Sequence, residues 1–174
     1  MDDRHLAELA AAARLGDDRA LTALVRATQA DVLRLCAHLG SAGEAEDLAQ
    51  DTYLRAVDAL DRYRGDAPFR AWLFGIARNV CADHVRRRVR RRRLDTLRAP
   101  RPDHTAGPDQ EVAVLDLLDG LDPDQRCAFV LTVVMGLEYA EAAEVCGCPV
   151  GTIRSRVNRA RERLRSLHAA AESA

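Results

Sequence analysis

The chain contains no lysine: all 26 of its basic residues are arginine, set against 27 acidic ones. That bias fits a GC-rich coding sequence, and it excludes the compact ammonium charge in favour of a planar fork suited to phosphate and guanine. Aromatic residues are also scarce, at 4 % of 174 residues with a single Trp, although 48 % of the chain is hydrophobic. Strands favour aromatic and β-branched side chains, so this Leu-, Val- and Ala-based composition predicts small all-α bundles. The longest apolar stretch, 127–137, is far too short to cross a bilayer. The acidic start Met1-Asp2-Asp3-Arg4 lacks the basic flank and apolar run of a signal peptide, so a cytoplasmic location without membrane insertion is expected.

Metal and catalytic chemistry find little to work with. Five cysteines (Cys36, Cys81, Cys127, Cys146 and Cys148) make an odd, scattered set that reads as small buried hydrophobes in a reducing compartment. The Cys146-Gly147-Cys148 spacing is too short for a zinc knuckle, and no second ligand pair lies nearby. Asp83-His84 beside an arginine run lacks the convergent ligands of a nuclease, and no nucleophile pairs with a base. The expectation is no metal, no cofactor and no enzymatic activity.

What is present is segregated charge. The formal net charge of -1 conceals a net −5 over 44–61, +10 over 62–101, −7 over 103–124 and +5 over 154–165. Four alternating blocks suit a chain with both a cationic and an anionic partner better than four merely solvated surfaces. Apolar spacing predicts helices over 6–15, from Asp17 or Asp18 to Gly40, from a Ser41 cap to about Leu60, and from Phe69 into the run 86–93. Pro100, Pro102, Gly107 and Pro108 mark 94–108 as a linker. Beyond it, helical segments are expected over 109–120, from Pro123 to Gly136, and on either side of Cys146-Gly147-Cys148-Pro149. The units are therefore 1–93 and 109–174.

The C-terminal unit has the pattern of a helix-turn-helix. Ala142, Ala143 and Cys146 are small enough for a close crossing, and Gly147 can supply the left-handed turn. The following helix places Ile153, Val157, Ala160 and Leu164 on one face and Gly151, Arg154, Ser155, Asn158, Arg159 and Glu162 on the other. Arg and Asn make paired hydrogen bonds to base edges in a major groove, and Gly151 lets backbone approach phosphate.

In the N-terminal unit, Ala45, Leu48, Ala49, Thr52, Ala56, Val57 and Leu60 form an expected buried stripe. Asp47, Gln50, Asp51, Leu54 and Asp58 lie elsewhere on the wheel, as a docking surface for a basic partner or as an ordinary solvated face. The next helix is expected to bury Trp72, Leu73, Ile76, Ala77 and Val80. Tyr63, Arg64, Asp66 and Phe69, preceding or opening it, join aromatics to charge, as sites holding unstacked bases do.

Three motifs, taken in order, resemble one family: Asp-Leu-Ala-Gln-Asp-Thr-Tyr-Leu-Arg-Ala (47–56), Tyr-Arg-Gly-Asp-Ala-Pro-Phe-Arg-Ala-Trp-Leu-Phe-Gly-Ile-Ala-Arg-Asn (63–79) and Cys-Gly-Cys-Pro-Val-Gly-Thr-Ile-Arg-Ser-Arg-Val-Asn-Arg-Ala-Arg (146–161). Together with the proline linker they are similar to the extracytoplasmic-function sigma factors of the bacterial sigma-70 family. The resemblance implies a sigma2-like domain over 1–93, a linker over 94–108 and a sigma4-like helix-turn-helix domain over 109–174. Asp47, Gln50, Asp51, Leu54 and Arg55 would then grip the β′ clamp helices of core RNA polymerase. Tyr63, Arg64, Asp66, Phe69, Asn79 and Asp83 would read the −10 element, with Arg78, Arg86 and Arg87 on flanking phosphates. Arg154, Ser155, Asn158 and Arg159 would read the −35 element, with Gly151, Thr152 and Arg156 on its backbone. Implied partners are core polymerase (clamp helices and β flap), promoter DNA and an anti-sigma protein. Gly75 departs from the longer residue common in the family, and Asp83 from neutral polar ones. An autonomous helix-turn-helix regulator would account for the C-terminal half alone.

Overall fold

A computed structural model describes the backbone of residues 2–95 and 117–172, with side chains for 2–91 and 117–169. Every regular element among the described residues is helical. Most of the expected linker, and the first part of the helix expected over 109–120, lie outside them.

Helices α1 (Asp3–Arg14) and α2 (Asp18–Leu39) form an antiparallel pair. Asp17 caps α2, its carboxylate accepting from the amides of Arg19 at 2.9 Å and Ala20 at 3.1 Å. Helix α3 (Ala45–Ala59) follows a 3-10 turn at Ala42–Glu44. Ser41, expected to cap α3, bonds no amide; the inserted turn carries the start of α3 downstream of its hydroxyl. A second 3-10 turn, Leu60–Arg62, leads through a loop to the long helix α4 (Phe69–Asp95).

The core of this unit gathers Leu24, Val32 and Leu35 from α2, Leu48 and Ala56 from α3, and Leu73, Phe74, Ala77 and Val80 from α4. Two expectations need correction. Val57 is 47 % exposed, because it lies one helical step beyond Ala56 and off the buried stripe. Trp72 and Ile76 are only half-buried, and Phe74 takes the central place. Buried hydroxyls are satisfied within their own helices: Thr28 donates to the Leu24 carbonyl at 2.8 Å and Thr52 to that of Leu48 at 2.7 Å.

In the second unit a helical turn at 117–119 precedes α5 (Pro123–Phe129), which is capped by Asp122 and continued by one wide π-helical turn, Val130–Val134. Glu138 and Glu141 form a capping box on α6 (Tyr139–Cys146). Gly147 then turns the chain at φ +63°, a left-handed conformation that side chains disfavour. Helix α7 (Val150–Glu172) buries Ile153, Val157 and Ala160 against α5 and α6. The units meet where α6 packs on α4. Arg70 Nη2 donates across this seam to the Met135 carbonyl at 3.1 Å, and Arg126 Nε to that of His38 at 2.5 Å.

An ionic tie joins α3 to α4. Arg55 lies 3.5 Å from Asp51 and 3.4 Å from Asp83, and Arg86 lies 2.5 Å from the other Asp83 oxygen. The hydrogen bond from Arg86, then that from Arg55, holds the Asp83 carboxyl below its ordinary 3.8. A carboxylate with a lowered folded value stabilises the fold above the ordinary range and loses that contribution as pH falls through the lowered value. Replacing Arg86 by Gln should move the Asp83 titration upward in a carboxyl NMR experiment, with other carboxylates unmoved. In the core, Phe74→Ala should destabilise the chain by about 3–5 kcal/mol. Leu54→Ala on the exposed face should change stability by less than about 0.5 kcal/mol, both measured by chemical denaturation.

Candidate nucleic-acid interface

Helix α7 divides cleanly into two faces. Opposite its buried row, Gly151, Arg154, Ser155, Asn158 and Arg159 are exposed, while Thr152 is half-buried. The Ser155 hydroxyl donates to the Thr152 carbonyl at 2.9 Å, leaving its acceptor capacity facing outward. Arg154 and Arg159 make no ion pair among the described residues. Arg156 differs from them: it is half-buried, paired with Asp124, and 3.6 Å from the Cys148 sulfur. It ties α7 to α5, so it carries less spare charge toward a backbone than its neighbours.

The aromatic positions of the 63–69 segment are closed. Tyr63 is 6 % exposed and Phe69 2 %. Their rings pack edge to face at 5.3 Å, and both lie against Trp72 at 5.2 and 5.3 Å. The Tyr63 hydroxyl donates to the Ala67 carbonyl at 2.9 Å, and Arg14 donates to the Tyr63 carbonyl at 2.9 Å. The expectation that these two rings hold unstacked bases is therefore corrected: they fix the loop that raises Arg64 and Asp66 into solvent. Those two side chains are exposed and lie 3.3 Å apart.

On α4, Asn79, Arg86 and Arg87 are exposed, whereas Arg78 and Asp83 are half-buried. Asn79 borders a groove of about 370 Å³ shared with Trp72, Gly75, Ile76 and, from α6, Glu144 and Val145. A side chain at Gly75 would meet open space, so glycine is not required there by packing.

The acidic row on α3 is exposed at Asp47, Gln50, Asp51 and Asp58, with Leu54 60 % exposed in its midst. Exposed Val57 lies beside it, three residues on, a neighbour that sequence reasoning assigned to the core; the 60° between them on the helical wheel was the available signal. Arg55 is half-buried in the tie to Asp83. Below the row, a cavity of about 250 Å³ is lined by Glu44, Asp47, Asp51, Arg55, Asp83 and Arg87, among others. The acidic row and the cationic end of α4 therefore share one wall.

The chain is similar to known proteins over both of its units. Residues 24–91 match the family model of Sigma-70 region 2, and residues 111–164 that of Sigma-70, region 4. The ECF RNA polymerase sigma factor SigC of Mycobacterium tuberculosis is 47 % identical over 170 residues, covering 94 % of this chain and 91 % of that protein. The ECF RNA polymerase sigma-E factor of Escherichia coli is 32 % identical over 163 residues, covering 84 % and 85 %. CnrH, solved with the cytosolic domain of CnrY, superposes with a TM-score of 0.76 at 33 % identity, covering 97 % of this chain and 99 % of that one. The sigma factor RpoE of Bartonella quintana, solved with the anti-sigma factor NepR, gives 0.72 at 31 % identity, covering 86 % and 96 %. With two helical regions in this order and a relative nearly half identical along almost its whole length, the chain belongs to the extracytoplasmic-function sigma factors of the Sigma-70 family.

Proposed function

We propose that this chain directs core RNA polymerase to promoters bearing particular −10 and −35 elements and helps open the former. The observation that supports this most is one chain exposing an acidic ridge with Leu54 on α3 and an arginine-asparagine face on α7. Asp47, Gln50, Asp51 and Leu54, with Arg55 at their edge, take the clamp helices of β′. Arg154, Ser155, Asn158 and Arg159 read −35 base edges, while Gly151, Thr152 and the paired Arg156 lie along the backbone. The flap of the β subunit holds the second unit over that element. Asn79 and Asp83, with Arg64 and Asp66 on the loop that Tyr63 and Phe69 shape, form the −10 reader. Arg78, Arg86 and Arg87 neutralise the neighbouring phosphates. Opening needs no covalent step, since tighter binding of single-stranded than of paired bases shifts the equilibrium.

The reading is of a non-enzymatic, cytoplasmic factor; among the described residues no helix is long and apolar enough to cross a membrane. An anti-sigma protein that covers the α3 and α4 surfaces belongs to the same proposal. The solved complex of RpoE with NepR supports it by analogy.

Purified core polymerase with this chain as the only added factor should initiate at defined start sites. Reversing charge at Asp47 and Asp51 together should weaken association with core polymerase roughly tenfold or more, one decade being about 1.4 kcal/mol. Arg154→Ala or Asn158→Ala should each remove about 1–3 kcal/mol of discrimination at one or two −35 base pairs. Activity seen only with polymerase that already carries another specificity factor would instead mark an autonomous regulator.

A further inference from the structure

Three of the five cysteines are buried and two half-buried, and one of each kind meet near where the second unit touches the first. The sulfurs of Cys127 on α5 and Cys146 on α6 are 3.7 Å apart. Cys127 is 7 % exposed and Cys146 half-buried, so the pair is reached from the Cys146 side. Arg78 of α4 interacts with both sulfurs, and Arg156 of α7 with that of Cys146. Two thiols in contact, one half-open and both beside guanidinium groups, make the electropositive and accessible setting in which cysteines react. Cys36 and Cys81 also interact, but both are fully enclosed between α2 and α4.

We propose that Cys127 and Cys146 form a peroxide-oxidisable dithiol whose disulfide ties α5 to α6. The hydrogen bond between the two sulfurs, with help from Arg78, lowers the Cys127 pKa, whereas that same bond and burial raise that of Cys146. Either sulfur can attack as the thiolate while the other resolves. The attacking sulfur takes one oxygen of hydrogen peroxide as the O–O bond breaks, and the departing hydroxide gains a proton to become water. The other sulfur then displaces the sulfenic oxygen, which leaves as a second water with that thiol's proton. Two electrons pass from the thiol pair to one peroxide. Closing the bond draws the sulfurs from 3.7 Å to roughly 2.05 Å. It pulls α6, the support for α7, toward α5, and it abolishes the thiolate beside Arg78.

The test treats the reduced full chain with hydrogen peroxide, counts free thiols under denaturing conditions and maps the product after cleavage at glutamate. Cleavage at Glu138, Glu141 and Glu144 separates Cys127 from Cys146, so a linked peptide pair is diagnostic. Free thiols should fall from five to three in the wild type and from four to two in Cys148→Ser, with both sulfurs of the linked pair assigned by fragmentation. Cys146→Ser should abolish the link while circular dichroism and the melting profile show a retained fold. Five thiols after treatment would overturn the proposal, as would a bond confined to Cys36–Cys81 or Cys146–Cys148. Oxidation of Cys127 to a sulfinic acid without cross-linking would overturn it equally.

Discussion

Helix α4 buries Leu73, Phe74, Ala77 and Val80 against its own unit while its Trp72–Ile76 side faces α6 of the other. A fully buried Leu, Val or Phe contributes about 1.5–3 kcal/mol, so this one helix anchors the first unit's core. Most residues proposed to contact DNA in that unit lie on it or on the loop that leads into it. The aromatic trio of Tyr63, Phe69 and Trp72 seats the preceding loop on its first turn. Beyond His84 the same helix becomes a run of exposed and half-exposed arginines. Such a run is tolerable only because the apolar stretch before it secures the helix, since like charges three and four residues apart oppose helix formation.

The double use of α4 sets up a competition at Asn79. Its groove is bounded on one side by Glu144 and Val145 of α6, so a base entering there, as proposed, would meet the second unit as well as the first. The seam contains half-buried Trp72 and Ile76, the Arg70 contact to Met135 and the Arg126 contact to His38. Polar contacts of this kind between units of one chain are the sort that permit relative motion. Glu144 also brings a carboxylate to the groove, which opposes a phosphate there for as long as the units stay together.

Much of the fold was legible because helical spacing of Leu, Val and Ala is a direct consequence of one-sided burial. The turn at Gly147 was legible too, since few residues other than glycine adopt its backbone conformation. What escaped the sequence depended on neighbours. Ser41 looks like a helix cap until a 3-10 turn intervenes, and no local pattern announces that turn. Tyr63 and Phe69 look like open stacking faces because a sequence shows that aromatics are near each other, not that they consume each other's surface. Val57 lies one step off the α3 stripe and was counted into it, whereas Phe74 was left out because a helix between two packing partners buries a broader arc than the periodicity of one stripe implies. The pairing of Cys127 with Cys146 spans two helices and left no mark in spacing. For the interface itself, α7 was the most readable part, because its buried and exposed rows are both dictated by one period.

The absence of lysine bears on which arginines are available to DNA. Arg55 bridges Asp51 and Asp83; Arg70 meets Asp31 and the Met135 carbonyl while lying 5.2 Å over the Phe74 ring; Arg126 meets Asp119 and the His38 carbonyl. Each uses the planar fork to join two or three groups, which a single ammonium cannot do with the same geometry. Those cations are already neutralised, and moving them to phosphate would leave carboxylates behind. Arg154 and Arg159 carry no such obligation within the described structure, so binding an anion there breaks no existing ion pair. The same residue type thus serves two purposes, and the local supply of carboxylates separates them. Acid-rich neighbours convert arginine into a structural strut, while Arg154 and Arg159, without an ion pair among the described residues, keep their charge for an incoming anion.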